Sequence, residues 1–309
     1  MRLRIFTIAL LAGCAVPLAA AALAPDRPAA QPATPAIGSY GFDHNGMDRS
    51  VAPGDNFYDY ANAVWAKNTR IPADKSNFGM FTALQDLSQQ RVRALLDTTR
   101  DDPNSKIGAA YASFLDESAV EARGLAPIKP WLNEVRGLKS RAGYAALAAR
   151  AARNGVGSLF FGFVGQDDKD PGTYIFQMGQ AGLGLPDRDF YLLDDERMKG
   201  VRAAYVAHIA KVLTLAGETD VQPRAEALLA FETEIAKVSW TREDSSDATK
   251  TYNKMTVAQL AKSAPGFDFA AYIKARGAKG AGELLVAQPS AFTAIAALCA
   301  KADLAVHKD

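Results

Sequence analysis

Apolar side chains recur with the period of an α-helix through most of this 309-residue chain. An α-helix turns once every 3.6 residues, so side chains three and four positions apart share one face. The clearest run has spacings of 3, 4, 3, 4 and 3 and consists of Met198, Val201, Tyr205, His208, Val212 and Leu215. The next run consists of Leu228, Phe231, Ile235 and Val238, with Glu232 and Glu234 mostly off its seam. These stripes predict helices that pack against one another.

Two further helices are predicted nearer the N-terminus, and one stretch breaks the helical pattern. The first helix follows Asp55, a candidate N-cap, and carries Phe57, Ala61, Val64 and Trp65. The second carries Phe81, Leu84, Ser88, Val92 and Leu95. Residues 158–164 are rich in Gly and Phe, residues 166–172 are turn-like and residues 173–178 favour a strand, which together indicate a hairpin. The predicted fold class is mainly α, a multi-helix lobe with one small β-hairpin.

The composition is that of a globular protein. Hydrophobic residues make up 49% of the chain and charged residues 22%, which excludes global disorder. The formal net charge is +1, and no long basic run is interleaved with aromatic residues. We therefore expect no nucleic-acid partner.

Residues 1–24 have the layout of a secretory signal peptide. Arg2 and Arg4 form a short positive region, residues 5–11 are apolar, and alanine-rich sequence follows. The sequence Leu-Ala-Gly-Cys ending at Cys14 matches a bacterial lipobox, whose cysteine would be lipidated, while the alanines at 20–22 offer an ordinary cleavage site. Both alternatives stay open. We expect a flexible Pro/Ala-rich spacer over residues 25–40, export to the periplasm or the extracellular space, and membrane contact only through a lipid anchor.

Cysteines and histidines leave little scope for metal or nucleophilic chemistry. In a non-lipidated mature chain Cys299 would be the one remaining cysteine, and we predict that it is a small buried core residue. None of the three histidines, His44, His208 and His307, begins a His-Glu-x-x-His motif. We expect His208 to be a hydrogen-bonded core residue and His44 to lie at the surface. No Gly-x-Ser-x-Gly motif occurs, so we assign no catalytic and no metal-binding residue to this chain.

Two clusters have residue types that also occur in ligand sites. Asp167, Asp168 and Asp170 could ligate calcium, but a solvated hairpin turn explains them better. Gly179, Gly182 and Gly184 do not have the Gly-x-Gly-x-x-Gly spacing of a phosphate loop. We interpret these glycines as residues that permit a tight, closely packed turn.

Several ordered blocks resemble one family over essentially the whole chain from residue 41 onward. They are PGDNFYDYANAVW at 53–65, WAKNTRIPADKS at 65–76, GLGLPDRDFY at 182–191, FETEIA at 231–236 and DATKTYNKM at 247–255. In order and rough separation they resemble the N-terminal part of the neprilysin family of zinc metallopeptidases, peptidase family M thirteen. The resemblance is to its bacterial oligopeptidase-like members in particular.

The resemblance implies that residues 41–309 form a helical lobe, the lid half of such a peptidase. In the family, catalysis rests on a His-Glu-x-x-His helix followed by a later Glu-x-x-x-Asp, and no such helix occurs here, so the catalytic domain is expected to be absent from this chain. The resemblance further implies peptide substrates, zinc in the full-length enzyme but none bound by this chain, and the catalytic domain as partner. It also implies that the helix of Phe57, Val64 and Trp65, and residues 295–299, lack part of their partner surface.

A departure from the family concerns two positions. Animal members carry two arginines that bind the C-terminal carboxylate of a peptide, a role that suits the guanidinium group. The matching positions here hold Asn77 and Gln85, which are neutral. The resemblance therefore favours an endopeptidase or oligopeptidase without a carboxylate clamp. The other interpretation is that both are ordinary helix-surface residues.

Two functional hypotheses follow. The first is the N-terminal, substrate-enclosing lobe of an exported zinc-dependent endopeptidase that acts on small peptides, with proteolysis carried out by the full-length protein. The alternative is a stand-alone, non-catalytic exported helical module that binds peptides or a protein. Whether the chain counts as an enzyme is left open, and we expect it to be inactive alone.

Overall fold

The computed structural model of the protein describes residue 41 and residues 43–309. The predicted signal peptide, Cys14 and the spacer therefore lie outside the described residues. Within the described part of the chain, no helix is long and apolar enough to span a bilayer. Backbone contacts divide the described residues into two compact units, one up to residue 117 and one of residues 118–309.

The first unit contains three helices, α1 (Phe57–Asn68), α2 (Met80–Thr99) and α3 (Lys106–Leu115). Both predicted N-terminal helices are confirmed, but the N-cap of α1 was placed one residue early. The side chain of Asn56, not Asp55, accepts a hydrogen bond from the backbone N–H of Asp59 at 3.1 Å. Asn and Asp cap helices about equally well, so adjacent candidates cannot be separated by residue type.

Few side chains of the first unit are buried. Neither α1 nor α2 contains a buried residue, and the side chains of Phe57 and Phe81 are 68% and 91% exposed. That the α1 face lacks part of its partner surface stays a prediction, with Phe57 exposed and Val64 and Trp65 half-buried. Large exposed aromatic groups are unusual on a monomer surface and mark faces that another surface can cover.

The second unit holds most of the helices. Helix α4 (Glu117–Arg123) spans the boundary between the units, and a 3-10 turn (Ala126–Ile128) follows it. The helices are α5 (Lys129–Arg136), α6 (Arg141–Arg153), α7 (Asp189–Leu192), α8 (Glu196–Leu215), α9 (Val221–Val238), α10 (Arg242–Ser246), α11 (Ala248–Thr251), α12 (Val257–Ser263), α13 (Phe269–Ala275), α14 (Pro289–Lys301) and α15 (Leu304–Lys308).

One four-stranded sheet lies in the second unit. Strands β1 (Phe160–Asp167) and β2 (Asp170–Gln180) form the predicted antiparallel hairpin. The prediction of a hairpin alone was incomplete, because β4 (Glu283–Val286) pairs in parallel with β2, and β3 (Lys254–Thr256) pairs antiparallel with β4. Strands of three and four residues are too short to show a period of two, so their sequences did not distinguish them from loops.

The core of the second unit lies between one face of the sheet and α13 and α14. The ring of Phe160 is 4.5 Å from that of Phe292 and 5.0 Å from that of Phe269, measured between centroids. Burying one such side chain stabilises the fold by about 1.5–3 kcal/mol. The prediction that residues 295–299 lack part of their partner surface was wrong, because Ile295 and Cys299 face this core and are buried. The prediction of a buried Cys299 is confirmed.

The buried face of α8 differs from the predicted one. Ile209 and Leu213 are buried against α9, whereas His208, Val212 and Leu215 are exposed. The prediction that His208 is a core residue was therefore wrong. Two neighbouring stripes on α8 both fit a spacing of three and four, and contact with α9 selects the one that contains Ile209 and Leu213.

Candidate functional site

The segment at residues 182–191 connects β2 to α7 and depends on glycine at two positions. Gly182 has a φ of +92°, a conformation that side chains with a Cβ disfavour. A Cβ on Gly184 would lie 1.8 Å from the hydroxyl oxygen of Tyr205 in α8. Any larger residue would push the segment away from α8. The prediction of a tight, closely packed turn is confirmed for Gly182 and Gly184 and was wrong for Gly179, which lies in β2 and pairs with Phe161.

A buried carboxylate holds this segment against two helices. Glu232 of α9 accepts hydrogen bonds from the hydroxyls of Tyr191 (2.7 Å) and Tyr205 (3.1 Å), and the Tyr191 hydroxyl accepts one from the backbone N–H of Leu185 (2.8 Å). The placement of Glu232 mostly off the seam was wrong, since only 8% of the residue is exposed. Burial raises the pKa of Glu232, and the two tyrosine hydrogen bonds oppose that shift.

A cleft of about 370 Å³ separates the segment from the turn between α9 and α10. Its wall is held by a reciprocal pair of hydrogen bonds, in which the backbone N–H of Trp240 donates to the Gln180 side chain (2.9 Å) and that side chain donates to the Trp240 carbonyl (3.2 Å). The indole N–H of Trp240 also donates to the Ser290 hydroxyl at 2.7 Å. Both walls of the cleft are therefore fixed by their own contacts.

Charges in this cleft cancel. Arg242 forms an ion pair with Asp187, and the Nε–H of Arg188 donates to the backbone carbonyl of Ala236 at 3.3 Å. Asp189 is the fourth charged residue that lines it. Two arginines and two aspartates give no net preference for an anion or a cation. The lining includes the hydroxyls of Ser239, Thr241 and Ser245 but no histidine or cysteine that could act on them.

The aspartate cluster of the hairpin is divided between core and solvent. Asp168 and Asp170 are exposed as predicted, but Asp167 is buried, so its interpretation as a solvated turn residue was wrong. Its carboxylate accepts a hydrogen bond from the Tyr252 hydroxyl at 2.7 Å and lies 2.5 Å from the Lys254 ammonium. These two partners hold the pKa of Asp167 well below its usual range. The group ties the hairpin turn to the segment before β3.

The described residues do not fit a catalytic zinc ion. No group of three or more His, Cys, Asp or Glu side chains among residues 41 and 43–309 could hold a metal. His44 and His208 are exposed, and Nε2 of His307 lies 2.9 Å from the backbone carbonyl of Cys299. Burial raises the pKa of the Cys299 thiol to about 11, so it is no thiolate nucleophile at neutral pH.

One short motif does occur in isolation. Glu243 and Asp247 have the spacing of Glu-x-x-x-Asp, although no His-Glu-x-x-His precedes them. Asp247 caps α11, because its carboxylate accepts hydrogen bonds from the backbone N–H (2.9 Å) and hydroxyl (2.6 Å) of Thr249. This capping accounts for Asp247 without a metal.

The positions that match the family's carboxylate-binding arginines lie in the first unit. Gln85 is exposed on α2, and Asn77 is exposed in the loop before it, where its amide is 3.4 Å from the Ser76 hydroxyl. Two residues that flank these positions in the sequence, Lys75 and Asp86, form an ion pair at 3.1 Å. A role of either neutral residue in substrate binding stays a prediction.

The described part of the chain is thus a mainly helical lobe with one small sheet, and no group of its described residues forms a metal site. The N-terminal sequence model of Peptidase family M13 matches residues 53–309, and the chain belongs to that family.

Relatives and a solved structure agree with this assignment. The chain is 30% identical to human (Homo sapiens) endothelin-converting enzyme-like 1, over 71% of this chain and 31% of that protein. It is 31% identical to an endothelin-converting enzyme homolog of Locusta migratoria, over 73% and 33%. A zinc metalloprotease of Mycobacterium tuberculosis, solved with an inhibitor, superposes with a TM-score of 0.78 at 33% identity, over 86% of this chain and 42% of that one. The chain thus spans about a third of the curated relatives it matches.

Proposed function

We propose that this chain is the substrate-enclosing N-terminal lobe of a zinc-dependent endopeptidase that acts on small peptides. The match of residues 53–309 to the N-terminal family model carries the proposal. It is supported by the coverage of only 31–42% of the similar proteins, one of which is described as a zinc metalloprotease. Because the described residues cannot hold zinc, the metal and the cleavage step would belong to a part of the full-length enzyme outside this sequence.

The residues of this lobe would contribute shape rather than chemistry. The segment at 182–191 is fixed by Glu232 and by the Gln180–Trp240 pair, so the lobe can present a constant surface to an enclosed peptide. An enclosing wall excludes water and admits only chains small enough to enter. The neutral Asn77 and Gln85 would leave the peptide's C-terminus without a charged anchor, which suits internal cleavage.

Export is part of the proposal. It rests on the sequence of residues 1–24, with Arg2 and Arg4 ahead of an apolar run, and places the enzyme in the periplasm or outside the cell. A lipid anchor at Cys14 would retain it at a membrane. Mass spectrometry of the mature N-terminus distinguishes a diacylated Cys14 from cleavage within the alanine-rich sequence, and an intact Met1 in the exporting host would contradict export.

The function is tested with the isolated chain and with a chimera. Purified chain should show no chelator-sensitive cleavage of mixed short peptides. Residues 53–309 placed into the mycobacterial zinc metalloprotease, in exchange for its aligned segment, should preserve chelator-sensitive cleavage of short peptides and leave folded proteins uncut. The same protease without that segment is the control. Chelator-sensitive cleavage by the isolated chain, or a folded chimera that cuts folded proteins as fast as peptides, would contradict the proposal.

The same chimera tests the missing carboxylate clamp. Asn77→Ala and Gln85→Ala should change the cleavage of a free-acid peptide and of its amidated form by the same factor, because neither side chain pairs with a carboxylate. The readout is the ratio of kcat/KM for the two peptides. A selective loss on the free acid of more than tenfold, about 1.4 kcal/mol, would show that these residues bind the C-terminus after all. No specific observation favours the stand-alone binding module.

A further inference from the structure

A second cavity, of about 540 Å³, lies within the second unit between α6, the start of the segment at 182–191, α9 and α15. It shares only Ala181, Gly182 and Leu183 with the lining of the cleft beside Trp240. Its size is in the range of small-molecule sites, and its lining is mainly apolar. The side chains that matter for recognition are Tyr144, Leu147, Leu183, Phe231, Glu232 and His307.

Three aromatic rings meet at this cavity. The ring centroids of Tyr144 and His307 are 4.7 Å apart, and Phe231 meets His307 edge-on at 5.9 Å. Nε2 of His307 lies 2.9 Å from the carbonyl oxygen of Cys299, so that nitrogen carries the proton and Nδ1 is an acceptor. Burial lowers the pKa of His307, which keeps the ring uncharged at neutral pH. The rings thus add no positive charge to the cavity.

Among the side-chain carboxylates of the cavity lining, Glu232 is the one that no Lys or Arg of the described residues pairs with. Its carboxylate is bound only by neutral donors, the hydroxyls of Tyr191 and Tyr205 and the backbone N–H of Gly184. The other two charged residues of the lining are already engaged. Lys308 donates to the carbonyl of Arg136 at 2.9 Å, and Asp309 is paired with Arg224.

We propose that this cavity binds a compact apolar amine, with its ammonium group beside Glu232 and its apolar stem among the rings of Tyr144, Phe231 and His307. A cation is attracted to the faces of aromatic rings. A buried carboxylate without a positive partner is stabilised by a cation that replaces its lost hydration. An anionic ligand of the same shape meets repulsion from Glu232, and a neutral one gains only the apolar contact. The proposal does not depend on peptidase activity.

Calorimetric titration of the purified 309-residue chain at pH 7 tests this with three probes of similar shape. These are phenethylamine, 2-phenylethanol and 3-phenylpropionate, which present a cation, a neutral hydroxyl and an anion on a similar stem. The amine should bind at least tenfold more tightly than the alcohol, a difference of about 1.4 kcal/mol, and the carboxylate should bind most weakly. Equal affinities for the amine and the alcohol, or no binding of the amine, would overturn the proposal.

Two variants locate the site. Glu232→Gln should remove the preference for the amine, whereas Glu234→Gln, two residues along the same helix and exposed beside Lys237, should keep it. Phe231→Leu keeps an apolar side chain but removes a ring, and it should weaken the amine about fivefold and the alcohol less. If Glu232→Gln does not fold, Phe231→Leu alone tests whether the amine binds in this cavity. An unchanged amine preference in a folded Glu232→Gln or in Phe231→Leu would contradict the assignment to this cavity.

Discussion

Glu232 is buried on α9 although its neighbours Phe231 and Ile235 define the apolar seam on which the sequence prediction rested. Helix periodicity ranks faces by hydrophobicity, so it assigns a carboxylate to solvent unless its partners are known. Those partners, Tyr191 and Tyr205, lie 41 and 27 residues away in the chain. The burial of Asp167 was not predicted for the same reason, because its partner Tyr252 is 85 residues away in the chain. In contrast, Cys299, Gly182 and Gly184 were interpreted correctly, since a small thiol and an unusual glycine pair have few structural uses.

Removing one tyrosine hydroxyl should show how much the hydrogen bonds around Glu232 contribute to the stability of the fold. Tyr191→Phe leaves one oxygen of Glu232 without its donor and the N–H of Leu185 without its acceptor. Unmade hydrogen bonds of buried groups cost about 1–3 kcal/mol, so the free energy of unfolding should fall by that amount in urea titrations. Tyr174→Phe, at a tyrosine that is 73% exposed, should change it by less than about 0.5 kcal/mol. Equal effects of the two variants would contradict a structural role for the network.

The same carboxylate predicts a pH dependence of stability. Burial raises the pKa of Glu232 in the folded protein above its ordinary value of 4.5. Compared with the unfolded chain, the folded state therefore favours the protonated acid. Its contribution to stability is therefore complete below about pH 4.5 and declines as the pH rises through the folded pKa. The free energy of unfolding of the wild type minus that of Glu232→Gln should decrease from pH 4 to pH 7. Because Asp167, which has the opposite sign, is present in both proteins, it cancels. A difference that rises with pH would show that the network favours the charged form.

At the scale of elements, helices were predictable and short strands were not. The two N-terminal helices, α8 and α9 carry a helical period, and the β1–β2 hairpin is indicated by a turn-like sequence next to a strand-favouring one. Strands β3 and β4 exist because their backbones pair with each other and β4 with β2, a property of distant chain segments. The face of α8 was missed because two adjacent stripes satisfy the same spacing. Contact with α9 selects Ile209 and Leu213 over Val212 and Leu215.

A matched pair of leucine truncations measures which face of α8 packs. Leu213→Ala removes a buried side chain against α9 and should lower the free energy of unfolding by about 2–5 kcal/mol. Leu215→Ala is the same change two residues away at a side chain that is 64% exposed, and it should cost less than about 0.5 kcal/mol. Urea titrations of both variants, with helix content checked by circular dichroism, compare them directly. A larger loss of stability for Leu215→Ala than for Leu213→Ala would show that the face of α8 predicted from the sequence is the packed one.

At the scale of the whole molecule, the family was recognisable because five separate blocks occur in one order, which short-range chemistry does not require. The resemblance also implied uncovered surface on the helix of Phe57 and around residues 295–299, and large exposed rings do occur in the first unit. Ile295, Ala296 and Cys299 are buried, whereas Phe81 and Phe114 of the first unit are 91% and 79% exposed. Apolar patches above roughly 400 Å² are uncommon on monomers and promote association.

The mature chain without its signal should therefore bind a hydrophobic dye and self-associate at micromolar concentration while its helix content stays high. The exposed rings of the first unit are the cause, so Phe81→Gln combined with Phe114→Gln should reduce dye fluorescence and light scattering at least about twofold. Tyr174→Gln in the second unit, also an exposed aromatic residue, is the control and should leave both signals unchanged. Because single exposed side chains contribute little to folding stability, the double variant should melt within a few degrees of the wild type. A monomeric, dye-silent wild type would show that these faces are covered within the chain itself, and the first unit would then need no partner surface.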